Sequence, residues 1–347
     1  MMNPPSLDAV STDFWGQIDD KHRLRNGDVT ENLDITPYMD YYQRQWHIMA
    51  ADIDGTSITV NSHEDIVGII QGVLENDSRE SIISHLKNKY PKLADSYYEN
   101  SVNLAARLLV MLKIGVVKHQ VLPRRVISWE QGSLADLLRE QFTKPQILDT
   151  QHVRLPKSFN AWALNVIGGL RIEFTDNLAD HLLLVDDDTK VLIFHHASFL
   201  EYQRKSLFPD GFVDETLRTL ALFFPQSEFS LRRRSRSTKR TWLQKLCSDA
   251  TPFCVDTRIA LCGNLRAEDR QIERFAFWRD RIIILRQVYD DTTPRTLSQW
   301  WHDRRNGERW YTFWIAILVL IITTTLGVIQ CVESGLQVYK AYYPTSN

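Results

Sequence analysis

From Trp310 to Val332 the chain reads WYTFWIAILVLIITTTLGVIQCV, 23 residues without one Asp, Glu, Lys, Arg or His. At about 1.5 Å rise per residue, a helix of that length reaches about 34 Å, enough to cross a hydrocarbon core of roughly 30 Å. A helix pairs its backbone N–H and C=O groups internally, which lipid cannot do for them. Apolar runs that form the core of a soluble domain are usually shorter. The segment is therefore predicted to be a single transmembrane helix.

The flanks agree. Of ten tryptophans, Trp300, Trp301, Trp310 and Trp314 crowd the entry to the run, and Tyr339, Tyr342 and Tyr343 follow its exit. Such amphipathic rings favour the level where acyl chains meet head groups. Arg295, Arg304, Arg305 and Arg309 precede the run, whereas only Lys340 follows it. The positive-inside rule then places residues 1–309 in the cytosol and the short tail on the other side. The opening MMNPPSLDAVSTDFW has no apolar stretch of the signal-peptide kind and no Gly at position 2, so neither a leader nor a myristoyl anchor is expected. These features read as a tail-anchored, single-pass protein. Asn76-Asp77-Ser78 would then lie on the wrong side for glycosylation. Thr323, Gly327, Cys331 and Gly335 recur every four residues, a small face on which two such helices could pair into a homo-oligomer.

Composition bounds the remainder. With 41 basic and 43 acidic side chains among 347 residues the net charge is -2, so nothing in the overall charge attracts nucleic acid. Charged residues at 24% and apolar ones at 44% exclude a mainly disordered chain or a small disulfide scaffold. The fold expected is α+β: a mostly helical cytosolic body with a few short strands, plus the membrane helix.

Patterning divides the body. Residues 1–45 read as an irregular lead-in. Residues 46–150 read as helical: Ile66, Ile69, Ile70 and Val73 keep helical spacing, Asp77 and Glu80 resemble a capping box, and LAARLLVMLKIGVV at 104–117 suggests a central buried helix. Residues 151–228 change character. Leu170, Ile172 and Phe174 alternate as in a strand, Leu178, Leu182 and Val185 suggest a helix, and KVLIF at 190–194 a second strand. That order allows a small parallel unit or a winged-helix-like arrangement. A basic loop occupies 229–242. In 243–309, Ile272, Phe275, Trp278, Ile282, Leu285 and Tyr289 suggest one long amphipathic helix ahead of a juxtamembrane segment. The span is 310–332 and the tail 333–347.

Candidate chemistry is sparse. Cys247, Cys254, Cys262 and Cys331 form no C-x-x-C pair and are expected to be free thiols. Asp176, Asp180, His181, His195 and His196 are the densest group of metal-ligand types, the set a membrane-bound metal-dependent hydrolase or transferase would use. Capping and polarity explain the same residues. Asp186-Asp187-Asp188 has the look of a D-x-D metal motif and equally of an acidic turn. No Walker, dinucleotide, nucleophile-elbow or kinase signature is present. No catalytic, metal or cofactor residue is assigned. The loop Arg232-Arg233-Arg234-Ser235-Arg236-Ser237 suits a basophilic kinase and an anionic leaflet, so phosphorylation could switch its attraction to lipid.

The stretches GGLRIEFTDNLADHLLLVDDDTKVLIFHHASFL and FWRDRIIILRQVYDDTTPRTLSQWWHDRRNGERWYTFWIAILVLIITTTLGVIQCVESGLQVYKAY resemble a family of filamentous-fungal single-pass membrane proteins. The resemblance covers about the last two thirds of the chain. It implies a single-pass fungal protein and supplies no activity, cofactor or site residue. Three functions stay open. The first is a non-enzymatic interaction or adaptor module at a bilayer. The second is a hydrolase or transferase at Asp176–His196. The third is a tethered nucleic-acid binder built on a winged helix.

Overall fold

The computed structural model describes residues 7–15, 34–50, 58–60, 62–115, 126–143, 147–148, 153–203, 207–229, 238–250, 254–293, 296, 299, 301, 303 and 307–342. The chain falls into two units, Met1–Thr292 and Thr293–Asn347.

In the first unit, α1 (Leu7–Trp15) and α2 (Thr36–Ala50) lie where an irregular lead-in is expected from sequence; Phe14, Tyr38, Tyr41 and Tyr42 are buried and hold them down. Helices α3 (His63–Leu74) and α4 (Arg79–Lys89) follow, each opened by a serine, Ser62 or Ser78, whose hydroxyl accepts an N–H of the first turn. Ser78 is thus the cap, not Asp77. Ile66, Ile69, Ile70 and Val73 are buried, as their spacing predicts.

The central helix α5 (Asp95–Val110) is enclosed along its whole second half. Its last turn exposes carbonyls that no residue of the helix can satisfy. Other segments supply the donors: Tyr38 Oη to Leu108 O at 2.6 Å, Tyr41 Oη to Arg107 O at 3.3 Å, and Gln203 Nε2 to Leu109 O at 2.9 Å. Met111 then turns left-handed at φ 50°, and its carbonyl accepts the Leu178 N–H at 2.9 Å. The apolar run expected to be helical to Val117 therefore stops at Val110. Its C-terminal end ties α2 to the segment beyond.

After α6 (Leu134–Phe142) and α7 (Ala161–Val166), the chain enters a three-stranded sheet of β1 (Arg171–Thr175), β2 (Leu183–Val185) and β3 (Lys190–Phe194), in the order β1-β3-β2. Gly168 precedes β1 where a Cβ would come within 2.7 Å of Leu164 O, so it serves close packing, and Gly169 beside it takes φ 70°. β1 and β3 are parallel; β2 is antiparallel to β3. The helix expected over Leu178, Leu182 and Val185 is not formed. Leu178–Asp180 makes one 3₁₀ turn, Leu182 takes φ 58°, and Leu183–Val185 pairs with β3 instead. Asp186, Asp187 and Asp188 form the hairpin turn, all with positive φ, a conformation Asp tolerates better than most residues.

The remainder of this unit is α8 (Ala197–Tyr202), α9 (Phe212–Phe223), α10 (Gln226–Phe229), α11 (Thr238–Asp249) and α12 (Arg279–Asp291). The long helix expected from Ile272 to Tyr289 is broken. Ile272–Arg274 is a 3₁₀ turn, and α12 begins only at Arg279. Glu215 of α9 causes the break. Its buried carboxylate accepts the N–H groups of Ala276, Phe277 and Trp278 at 2.7–2.8 Å, drawing them out of any helical ladder and capping α12 from outside. Burial raises the Glu215 pKa, and those three bonds oppose the rise. The same apolar residues still face inward: Ile272, Phe275, Trp278, Ile282, Leu285 and Tyr289 are all buried.

In the second unit α13 (Gly307–Tyr342) runs for 36 residues, and no part of its apolar window is buried inside the molecule. Thr323, Cys331 and Gly335 are exposed along it, and Gly327 is partly exposed. One helix is thus long and apolar enough to cross a membrane, as the sequence predicts.

Candidate functional site

The parallel pairing of β1 with β3 brings together residues that are far apart in the chain. Thr175 is in register with Phe194, so both strands leave the sheet side by side. The residues just past them, Asp176 on one strand and His195-His196 on the other, meet there. Asp176 Oδ1 lies 2.7 Å from His196 Nε2 and 3.2 Å from His195 Nε2. Arg44 of α2 closes the group: its Nη1 donates to Asp176 Oδ2 at 2.8 Å, while its Nε and Nη2 reach Asp40 at 3.2 and 3.1 Å. Both imidazoles are 1% exposed and the Asp176 side chain 14%.

Asp176, His195 and His196 offer three ligand-type atoms within 4.8 Å of one another, the geometry a metal ion would need. Proton positions argue against that use. His195 Nδ1 accepts the backbone N–H of Asp256 at 3.3 Å, so the ring's proton resides on Nε2, the atom facing Asp176. A protonated nitrogen has no lone pair for a metal. His196 likewise donates from Nε2 to the carboxylate, which leaves its buried Nδ1 with no partner among the described residues. Arg44 adds a fixed positive charge on the remaining oxygen, which repels a cation. The donor set fits a clamped carboxylate better than a metal ligand.

The electrostatics match. Burial first, then the neighbouring His195, push His196 down to about 3, so it is neutral in the fold. For Asp176, burial favours the neutral acid, but the hydrogen bonds from His195 and His196 outweigh it and hold the carboxyl far below the usual range. The result is one ion pair, Arg44 with Asp176, with Nε2 of both imidazoles turned to the same carboxylate.

The other members of the sequence cluster go elsewhere. Asp180 is fully buried and accepts from Asn177 Nδ2 at 2.9 Å. His181 Nδ1 accepts the Phe194 N–H at 3.2 Å. Its Nε2 bonds Thr219 Oγ1 at 2.7 Å, whose own proton goes to Thr216 O. Arg281 donates to the carbonyls of Ala179 and His181. Both nitrogens of His181 are therefore spent on structure, and burial, with Arg281 beside it, lowers its pKa well below the ordinary value. Asp256, absent from the sequence reading, accepts the Ser198 N–H at 2.6 Å and the Arg258 N–H at 2.8 Å, joining α8 to the turn that follows residue 256. Arg44 also escaped notice, since 132 residues separate it from Asp176.

The loop Arg232–Ser237 lies outside the described residues. Cys247, Cys254, Cys262 and Cys331 are free thiols, and burial pushes Cys247 up to about 11, making it a poor nucleophile.

These shifts carry a pH signature. His196 and His181 have folded pKa values below the unfolded value of about 6.5, so below that pH the unfolded chain binds more protons. Stability must then fall as pH drops from about 6.5 toward 3. Each histidine contributes up to about 1.4 kcal/mol per pH unit, so urea unfolding at pH 6 and pH 5 is expected to differ by roughly 1–3 kcal/mol. Equal midpoints at pH 7 and pH 5 would contradict the neutral-imidazole assignment.

Comparison of the chain with family models, with curated proteins and with solved structures gives no match to any of them.

Proposed function

We propose that the chain is a non-enzymatic interaction or adaptor module held on the cytosolic face of a membrane by α13. The observation that carries this reading is the helix from Trp310 to Tyr342, apolar and without burial inside the molecule. Exposed leucine, isoleucine and valine over several turns are costly in water and favourable in lipid. The arginine excess before the span supports the cytosolic side for the body. The Asp176 cluster supports a structural over a catalytic role, because every charge in it is already compensated. Partners beyond the bilayer would be proteins that dock on the body. A second copy could pair through Thr323, Gly327, Cys331 and Gly335. The Arg232–Ser237 loop would modulate contact with the leaflet.

One observation favours a second reading, a metal-dependent hydrolase or transferase: the three ligand-type atoms of Asp176, His195 and His196 lie within 4.8 Å. Calorimetric titration of the full chain in detergent with zinc and manganese separates the two. The adaptor reading expects no stoichiometric binding; a one-to-one site lost in His196→Gln would favour the enzyme. The membrane claim is tested on intact organelles. The full chain should resist carbonate extraction, and protease added from the cytosolic side should digest the body and spare a fragment around 310–342. Protection of the body would reverse the orientation.

A further inference from the structure

Helix α13 has 36 residues, about 54 Å at 1.5 Å each, which exceeds any bilayer core, so its length does not mark where lipid begins and ends. Its side chains do. At the entry, Trp301 packs edge-on against Trp314, ring centroids 5.1 Å apart, and Trp310 lies 6.2 Å from the same ring. The shielded Trp314 Nε1–H has no acceptor among the described residues. An indole with an apolar body and an unmet donor settles at head-group level, where ester carbonyls and phosphates accept. The cluster with Trp301 anchors Trp314 at that level. At the exit the first residue charged at neutral pH is Glu333, and Gln337 and Lys340 follow. Gln330 stands one turn before Glu333, close enough for its side chain to reach the same interface.

Between these markers the hydroxyls of Thr323, Thr324 and Thr325 are the polar groups at mid-span. Each donates to a carbonyl one turn back, Val319 O at 2.9 Å, Leu320 O at 2.7 Å and Ile321 O at 2.7 Å. They need no water and mark no boundary.

We infer that the lipid-matched stretch is Ile315–Val332, and that the surface it fits is a thin bilayer of the endoplasmic-reticulum class. Those 18 residues rise about 27 Å, the core thickness of that class, whereas sterol- and sphingolipid-rich plasma membrane is about 32–33 Å thick. In the thicker membrane Glu333 or the Trp314 donor would be drawn into hydrocarbon. The inference rests on α13 being transmembrane and adds where the boundaries fall.

Two experiments on the full chain test it. Single cysteines placed from Thr312 to Val338, in a background with the native four replaced by serine, are exposed to a membrane-impermeant maleimide from both sides of microsomes. Labelling at 315–332 is expected to be at least tenfold below that of Thr312→Cys and Ser334→Cys. Protection reaching Gln337 or beyond overturns the assigned length. Uniform labelling together with carbonate release overturns the transmembrane reading itself. In the second experiment three leucines are inserted after Leu320, adding about 4.5 Å. A fluorescent fusion is expected to sit in the reticulum with the native span and to shift toward the plasma membrane with the longer one. A native span already concentrated at the plasma membrane overturns the inference.

Discussion

Asp176→Ala is expected to destabilise the body by about 2–4 kcal/mol, the cost of removing the acceptor shared by a partly buried guanidinium and two buried imidazole N–H groups. Arg44 Nη1, His195 Nε2 and His196 Nε2 all meet at the Asp176 carboxylate. Its removal leaves the Arg44 guanidinium with Asp40 in place of two carboxylates, and takes the acceptor from two imidazole N–H groups where water reaches poorly. It also loosens the join between α2 and the ends of β1 and β3. Asp176→Asn keeps the size and one acceptor oxygen but removes the charge, and should fall between Ala and the native protein. Removing both charges, Arg44→Met with Asp176→Leu, should be less harmful than Asp176→Ala alone, because the carboxylate that loses its partner is then Asp40, which at 35% exposure stays solvated. Urea unfolding of residues 1–292, or of the full chain in detergent, measures all four. An Asp176→Ala penalty below about 1 kcal/mol would mean that the cluster is not a structural joint.

The second large effect belongs to the span. Deleting residues 310–347 is expected to move the protein quantitatively from the carbonate-resistant pellet to the soluble fraction. A milder version keeps the helix and charges its middle. Leu320→Arg with Ile321→Arg adds about 2.5–3.5 kcal/mol of insertion cost for each substitution. Both side chains are exposed on α13, at 65% and 57%, so neither change disturbs packing within the molecule. Loss of membrane association by both variants, with unchanged unfolding of the body, would identify lipid as the partner of this surface. Persistent carbonate-resistant association after the deletion would refute the anchor.

Much of the secondary structure was legible because period carries it. The isoleucines of α3 repeat at helical spacing, and Ile172 and Phe174 alternate in β1; in each case the buried face is the one the pattern indicates. The misreadings share a cause. Leu178, Leu182 and Val185 keep helical spacing, yet Leu183–Val185 becomes a strand because β3 offers it a pairing edge. The apolar series from Ile272 to Tyr289 suits one helix, yet Glu215 takes the three N–H groups at its centre. In both cases a segment outside the run, the adjoining hairpin strand in one and a helix some sixty residues away in the other, supplied hydrogen bonds that spacing within the run could not reveal.

For the site, residue types were visible and partnership was not. Asp176, His195 and His196 stood out as ligand types, but only the Thr175–Phe194 register makes them neighbours. Asp180 and His181 looked equally suitable and were diverted to Asn177 and Thr219. Arg44 had no local signal at all. The tautomer of His195, on which the metal question turns, depends on one backbone N–H at Asp256.

What the sequence determined alone is the lipid-compatible helix, since solvation of some twenty apolar side chains is a sum over residues and needs no tertiary partner. What only the tertiary structure decided is the character of the polar cluster. Whether a carboxylate and two imidazoles hold a metal or a guanidinium depends on which donors surround them, and strands and helices far apart in the chain bring those donors there.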